Sequence, residues 1–183
     1  MDQRTIIGFC GKRRAGKDTA AQCLPSSLNF AFAYPLKYAT MMLFNLSQEQ
    51  VFGDKKEIVD ERYGKSPRQL LQWLGTDIIR EHFGKDHLVN MMKESILNEE
   101  GNIVITDVRF DNEAELIKSL NGIIIEITNP NLVHDEVHSS HESESGISRH
   151  LIDYVINNDG TIEKLHTEVL KVVDDHHHHR QSV

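Results

Sequence analysis

Cysteine is scarce in this chain: Cys10 and Cys23 are the only two, too few for a disulfide framework and suited to a reducing cytoplasm. Basic charge is also in deficit, with 20 Lys and Arg against 28 Asp and Glu and a formal net charge of −8. That balance argues against a nucleic-acid polymer as partner, because such partners demand a basic face. No apolar run approaches bilayer length, and no signal peptide opens the chain, so a soluble, cytoplasmic protein without membrane contact is expected. Internal repeats are missing too. Hydrophobic residues make up 39% of the 183 positions, low for a globular protein but above the range of disordered chains, and the length fits one domain with a sizeable core.

What is present is organised around the amino terminus. An apolar run, Thr5 to Phe9, meets a loop that opens on Gly11 and closes on Gly16-Lys17, followed by the helix-permissive Asp18 to Leu24. In this strand, loop and helix context, Gly11-x-x-x-x-Gly16-Lys17 reads as a phosphate cradle. Glycines free the backbone to wrap N–H groups around phosphate oxygens, and Lys17 would reach the terminal phosphates of a nucleoside triphosphate. Ser or Thr usually follows the lysine as a magnesium ligand. Here Asp18 stands there with Thr19 behind it, and a carboxylate is an equally hard oxygen donor. The local cations Lys12, Arg13, Arg14 and Lys17 can hold an anionic small molecule despite the acidic balance.

Further along, Leu28 to Ala33 reads as a second strand, and Pro35 opens a helix whose Leu36, Tyr38, Ala39, Met42, Leu43 and Phe44 form a core-facing stripe. From Ser47 to Lys65 a polar stretch reads as a surface connection or short helical insertion, the first place to expect mobility. Ser66-Pro67 starts a helix through Arg80, with Leu71, Leu74 and Ile78 on one face and Arg68, Gln72, Thr76 and Arg80 on another. Gly75 inside it implies a close approach to the backbone. A helix near Lys85 to Leu97 carries Met91 and Met92 as core filler. Buried strands follow at Ile103 to Arg109 and Gly122 to Ile127, around a helix from Asn112 to Leu120. A strand from Leu151 to Ile156, an Asn157 to Gly160 turn and a helix from Thr161 to Val173 complete the pattern. Five strands alternating with helices predict an α/β fold with a doubly wound, five-stranded parallel sheet flanked by helices. Asp107 falls at the strand end where ligands gather in such sheets.

Several stretches in order, including the GKDT loop ending, Ala33 to Lys37, Ser66 to Asp77 with its QWLGTD core, Ile105 to Glu113, His141 to Glu144 and Asp153 to Thr161, resemble the phage-type deoxynucleoside monophosphate kinases of the P-loop NTPase class. The GKDT loop is shared with phosphomevalonate kinases, so the QWLGTD helix and the TDVRFDNE strand end discriminate. The chain is short for that family and lacks a larger insertion before the QWLGTD helix. The resemblance implies ATP and Mg2+ as cofactors and transfer of the γ-phosphate to a small-molecule deoxynucleoside monophosphate, with a homodimer compatible. It also implies a single kinase domain over 1–173, an acceptor-binding helical part at about 47–98, a lid-like segment at about 128–149 and a polar tail at 174–183. Gly11, Arg13, Arg14, Ala15, Gly16, Lys17, Asp18 and Thr19, with Asn158 and Gly160 near the adenine, would hold ATP. Lys17, Arg14, Arg68 and Arg109 would serve catalysis, and Asp18, Thr19 and Asp107 the metal. Lys37, Arg68, Gln72, Trp73, Thr76, Asp107 and Arg109 would bind the acceptor.

Plainer readings stand beside these. Arg14 and Arg68 can be solvated surface arginines, Asp107 a helix cap, Arg109 an ion-pair partner of Glu113, and Asn158-Asp159-Gly160 a simple turn. Trp73, amid leucines, leans toward core. His134, His138 and His141 follow no zinc spacing. They fall in a polar stretch that reads as a lid over the phosphates, with Arg149 reaching in. The tetrahistidine run His176 to His179 is set apart from function, whether native or a tag remnant. Other small-molecule P-loop kinases, for dephospho-CoA or phosphomevalonate, and a non-transferring ATP-binding regulator are the alternatives.

Overall fold

The apolar run ahead of the glycine loop is the central strand of a parallel sheet. The structure, a computed structural model, describes residues 4–132 and 146–181. Strand β1 (Ile6–Cys10) is buried along its whole length. It lies between β3 (Ile103–Ile105) and β4 (Ile123–Thr128), with β2 (Leu28–Phe30) and β5 (Tyr154–Asn157) at the edges, in the order β2-β3-β1-β4-β5. Every pairing is parallel, with Gly8 of β1 opposite Ile105 of β3 and Ile124 of β4. The continuous isoleucine and valine runs that predicted two-face burial are thus the inner strands. Only β1, β3 and β4 are that apolar, since edge strands keep one face in water.

Alternation along β1 sends Ile7 and Phe9 to one face and Gly8 and Cys10 to the other. On the first face, α1 (Lys17–Ala21) and α8 (Ile162–Gln181) bury Ala20, Ala21, Leu165, Val169 and Val173 against Ile7, Phe9, Ile125 and Ile127. On the second, α7 (Asp111–Ser119) packs Ile117 against the Gly8 and Ile124 positions. Three strands and the last helix have other limits than expected. β2 stops at Phe30 and β3 at Ile105, and residues 149–151 form a 3-10 turn before β5. Helix α8 runs on to Gln181 where a polar tail was expected at 174–183. His177 Nε2 meets Thr5 Oγ1 at 2.5 Å, Arg180 donates to the Asn121 carbonyl, and His178 and His179 turn back onto the carbonyls of Asp174 and Asp175.

The chain falls into two compact units, one made of the segments up to Ala31 and from Ile96 onward, the other of Phe32–Ser95. The first holds the sheet. The second is helical: α2 (Tyr34–Leu43), α3 (Gln48–Phe52), α4 (Pro67–Gln72), a π-helical segment Trp73–Arg80, α5 (Glu81–Phe83) and most of α6 (His87–Leu97). Ser47 and Ser66 each begin a helix with a reciprocal capping box, to Gln50 and Gln69, satisfying amides that would otherwise be orphaned. One cluster of its core is Leu46, Val51 and Leu70 with Met41, Phe44 and Phe52 around them.

The α2 stripe is core-facing only in part. Leu36 and Thr40 are buried, whereas Tyr38, Met42 and Leu43 are exposed. Thr40 enters the core because its hydroxyl donates to the Leu36 carbonyl and so buries no unpaired group. Among the methionines, Met92 is core and Met91 is exposed. The polar 47–65 stretch is tied down. Asp60 accepts from Gln50 and from both the backbone and the guanidinium of Arg62, which holds its carboxyl well below the usual range. Arg62 and Tyr63 also donate to the carbonyls of Asn45 and Phe44. The lid-like segment falls largely on 133–145, outside the described residues, as do His134, His138 and His141.

Candidate active site

At the end of β1 the backbone turns out of the sheet at Gly11, with φ +132°, and a Cβ there would sit 2.2 Å from the Ile127 carbonyl oxygen of β4. Only glycine passes that point. The loop continues through Arg14 at φ 65° and buried Ala15, whose N–H bonds the Lys12 carbonyl, to Gly16 at φ 108°. The Ala20 N–H then donates to the Gly16 carbonyl at 2.8 Å and α1 begins. Lys17 Nζ donates to the carbonyls of Gly11 at 2.8 Å and Lys12 at 2.9 Å. Asn158 Nδ2, from the turn after β5, donates to the Ala15 carbonyl at 2.9 Å. His166 of α8 donates from Nε2 to the Thr19 carbonyl at 2.8 Å. Residues 11–19 are therefore curled, their carbonyls drawn onto side-chain donors, which is the arrangement that presents amides to an anion.

Electrostatics agree with an anion site. Burial lowers the Lys17 ammonium from its ordinary value, and the neighbouring Arg109 lowers it further, while Asp18 and Asp107 oppose the shift. Lys17, Arg109, Asp18 and Asp107 thus share one electrostatic neighbourhood, joining the loop to the end of β3. An arriving phosphate would relieve the crowding of the two cations. Burial pushes the Cys10 thiol, just ahead of the loop, up to about 12, so it is inert as a nucleophile.

Asp107 does not cap the following helix, for Phe110 holds the position before α7. Glu113, the alternative partner of Arg109 beside a phosphate, holds that residue through its backbone N–H. Glu113 Oε2 accepts the N–H groups of Arg109 at 2.7 Å and Phe110 at 3.1 Å and fixes the turn that carries Arg109. This carboxyl is buried, and burial, with Asp107 nearby, raises it from 4.5 to about 7. The donor set also fits magnesium. Asp18 is exposed and Thr19 and Asp107 half-buried, and Mg2+ is held through one or two carboxylates plus substrate phosphates.

The remaining site residues divide by unit. Arg13 and Arg14 are exposed on the loop, and Gly160 is exposed in its turn. In the helical unit Arg68 pairs through Nε with Glu57, and its N–H donates to the Lys56 carbonyl. Lys37 Nζ lies 5.4 Å from the centre of the Phe52 ring. Gln72 and Thr76 are exposed. Trp73 is 45% exposed, with an edge contact to Phe44, so the core reading of it is corrected. Leu74 is buried as expected, with Leu70 one α-helical turn before it, while Leu71 and Ile78 are half-buried; the π-helical turn from Trp73 takes Ile78 off the 3.6-residue period. Nothing in the sequence singles out His166, whose only signal is helical spacing, or Glu126, a lone charge within Ile123 to Ile127.

A phosphate loop heading the central strand of this sheet, with a strand-end aspartate in its electrostatic neighbourhood, defines a nucleotide-binding P-loop domain of the kinase kind. Its fold is similar to a dephospho-CoA kinase from Campylobacter jejuni (TM-score 0.53, 15% identity, 94% of this chain and 97% of that one). It is similar to the same degree to TT1252 from Thermus thermophilus (TM-score 0.53, 19% identity, 95% and 98%). At such identities the likeness shows the fold alone. A family model for deoxynucleotide monophosphate kinase matches residues 46–169, and the chain belongs to that family. It is 36% identical over 190 residues to a putative deoxynucleotide monophosphate kinase of Acanthamoeba polyphaga mimivirus, covering 93% of this chain and 96% of the relative. It is 31% identical over 157 residues to the deoxynucleoside-5'-monophosphate kinase of Escherichia phage T5, covering 80% of this chain but 59% of the phage protein. Among the described residues no helix is long and apolar enough to cross a membrane.

Proposed function

We propose that this protein transfers the γ-phosphate of ATP to the phosphate of a deoxynucleoside 5′-monophosphate, giving the diphosphate and ADP in the cytoplasm. The observation that carries the reading is the curled loop with Lys17 folded onto the Gly11 and Lys12 carbonyls in a chain of the deoxynucleotide monophosphate kinase family. The acceptor oxygen is already anionic and requires no general base, so catalysis rests on positioning and charge neutralisation. Lys17 exchanges its two carbonyl partners for phosphate oxygens, and the loop amides hold the triphosphate. Arg14 and Arg109 add positive charge around the transferred group. Bound Mg2+ would neutralise phosphate charge, with Asp18, Thr19 and Asp107 as its protein-side donors. Arg68, whose planar fork suits phosphate, with Gln72, Trp73 and Thr76 on the same helical run, serves the acceptor. Lys37 is assigned there as well.

The test is a coupled ADP-release assay over a panel of acceptors. Deoxynucleoside monophosphates should raise ADP release well above the ATP-only rate. Turnover with dephospho-CoA or phosphomevalonate alone would reject the reading, as would ATP hydrolysis indifferent to every acceptor.

A further inference from the structure

Strand β4 reads Ile123-Ile124-Ile125-Glu126-Ile127, a carboxylate in the middle of an otherwise apolar buried strand. Such a charge is costly unless it is paired. Glu126 stands opposite Cys10 in the parallel register, one residue ahead of Gly11. Its Oε2 accepts from Arg149 Nη1 at 2.6 Å, and the side chains differ sharply in exposure, 17% for Glu126 and 76% for Arg149. The carboxylate is an anchor sunk in the sheet, and the guanidinium is the accessible end.

Arg149 itself rides on a fixed turn. Ile147 and Leu151 on either side are buried, and Ser148 donates its N–H at 2.7 Å and its hydroxyl at 2.5 Å to the Asp111 carboxylate at the start of α7. The charges acting on the Cys10 thiol are those of Glu126, Lys17 and Arg149, so all three surround the base of the phosphate loop. A guanidinium has five N–H donors in a planar fork. With the guanidinium 76% exposed and Nη1 on Glu126, its remaining donors are open to a polyphosphate.

We propose that Glu126 is a positioning residue that holds the guanidinium of Arg149 at the phosphate loop, ready to contact the transferring phosphates of ATP. This rests on the kinase reading above and adds a carboxylate-held cation to it.

The test compares wild type, R149A, R149K, E126Q and the double variant E126Q/R149A as full-length protein, measuring kcat, KM for ATP and melting temperature. R149A should lower kcat about tenfold or more, with any fall in melting temperature from the unpaired Glu126 carboxylate recovered in E126Q/R149A while kcat stays low, and R149K should recover only part of the kcat, since it restores the charge without the fork. E126Q should cause a smaller loss, and no further loss when added to R149A, because the two act as a unit. Unchanged kcat in R149A overturns the proposal, and so does an E126Q loss that persists undiminished in the R149A background. Should wild type phosphorylate no deoxynucleotide, the kinase reading fails by itself. Tripolyphosphate binding by calorimetry then decides the inference: binding weakened fivefold or more in R149A upholds the contact, and equal binding overturns it.

Discussion

Glu113 offers a prediction whose size follows from the structure. Its carboxyl is buried at the start of α7, accepts two backbone N–H groups and has Asp107 close by. It is raised from 4.5 to about 7, so between those values the folded protein binds more protons than the unfolded chain and stability falls as pH rises. At 1.36 kcal/mol per pKa unit the whole rise costs about 3 kcal/mol, of which about 2 kcal/mol falls between pH 5.5 and 8. Glu113→Gln keeps an oxygen to accept the Arg109 and Phe110 amides but removes the ionisation. Urea unfolding at pH 5.5 and pH 8 measures both proteins. The variant should gain on wild type by about 2 kcal/mol as pH increases across that window, with the chain's histidines cancelling in the difference. Parallel stability curves for the two proteins would refute the reasoning.

Lys17→Ala should lower phosphoryl transfer by about a thousandfold or more while leaving the far-ultraviolet spectrum and melting temperature near wild type, and near-normal turnover would remove the loop assignment. Asn158→Ala deletes the bond to the Ala15 carbonyl. A hydrogen bond of about 1 kcal/mol should appear as a roughly fivefold rise in KM for ATP, with KM for the acceptor unmoved, a split that steady-state kinetics would show or deny. At Gly75 a Cβ would lie 2.7 Å from Leu36 Cδ2. Crowding of about 1–3 kcal/mol is offset by the about 1 kcal/mol that alanine gains over glycine in a helix, so Gly75→Ala should destabilise by about 0–2 kcal/mol, and adding Leu36→Val should return part of any loss in thermal unfolding. A loss unaffected by Leu36→Val would show that the leucine is not what crowds the glycine.

Much of this was legible in the residues because it is local. The loop from Gly11 to Thr19 needs glycine at two positive-φ positions and a lysine that can fold back onto it, and chain order alone supplies them. The capping box at Ser66 and Gln69 is likewise a three-residue affair. The unbroken apolar runs at Ile103 to Ile105 and Ile123 to Ile127 announce burial on two faces before any partner is known. Helical periodicity failed where packing chose the face. Leu36 goes inside as its spacing predicts, but Tyr38, Met42 and Leu43 of the same stripe stay out and Thr40 goes in. The wider turn from Trp73 to Arg80 cannot be read from a 3.6-residue wheel, and it leaves Trp73 half outside.

The amino-acid order by itself determined the phosphate loop, the parallel alternation of strands and helices and the family, because each depends on neighbours a few residues apart or on motifs in sequence. Tertiary structure alone decided what surrounds the loop. Asn158 meets Ala15 across 143 positions of sequence, and His166 meets Thr19 across 147. Glu126 and Arg149 meet across 23. The physical reason is that a parallel sheet brings the ends of distant strands to one edge, and the charges and amides gathered there have no sequence proximity to reveal them.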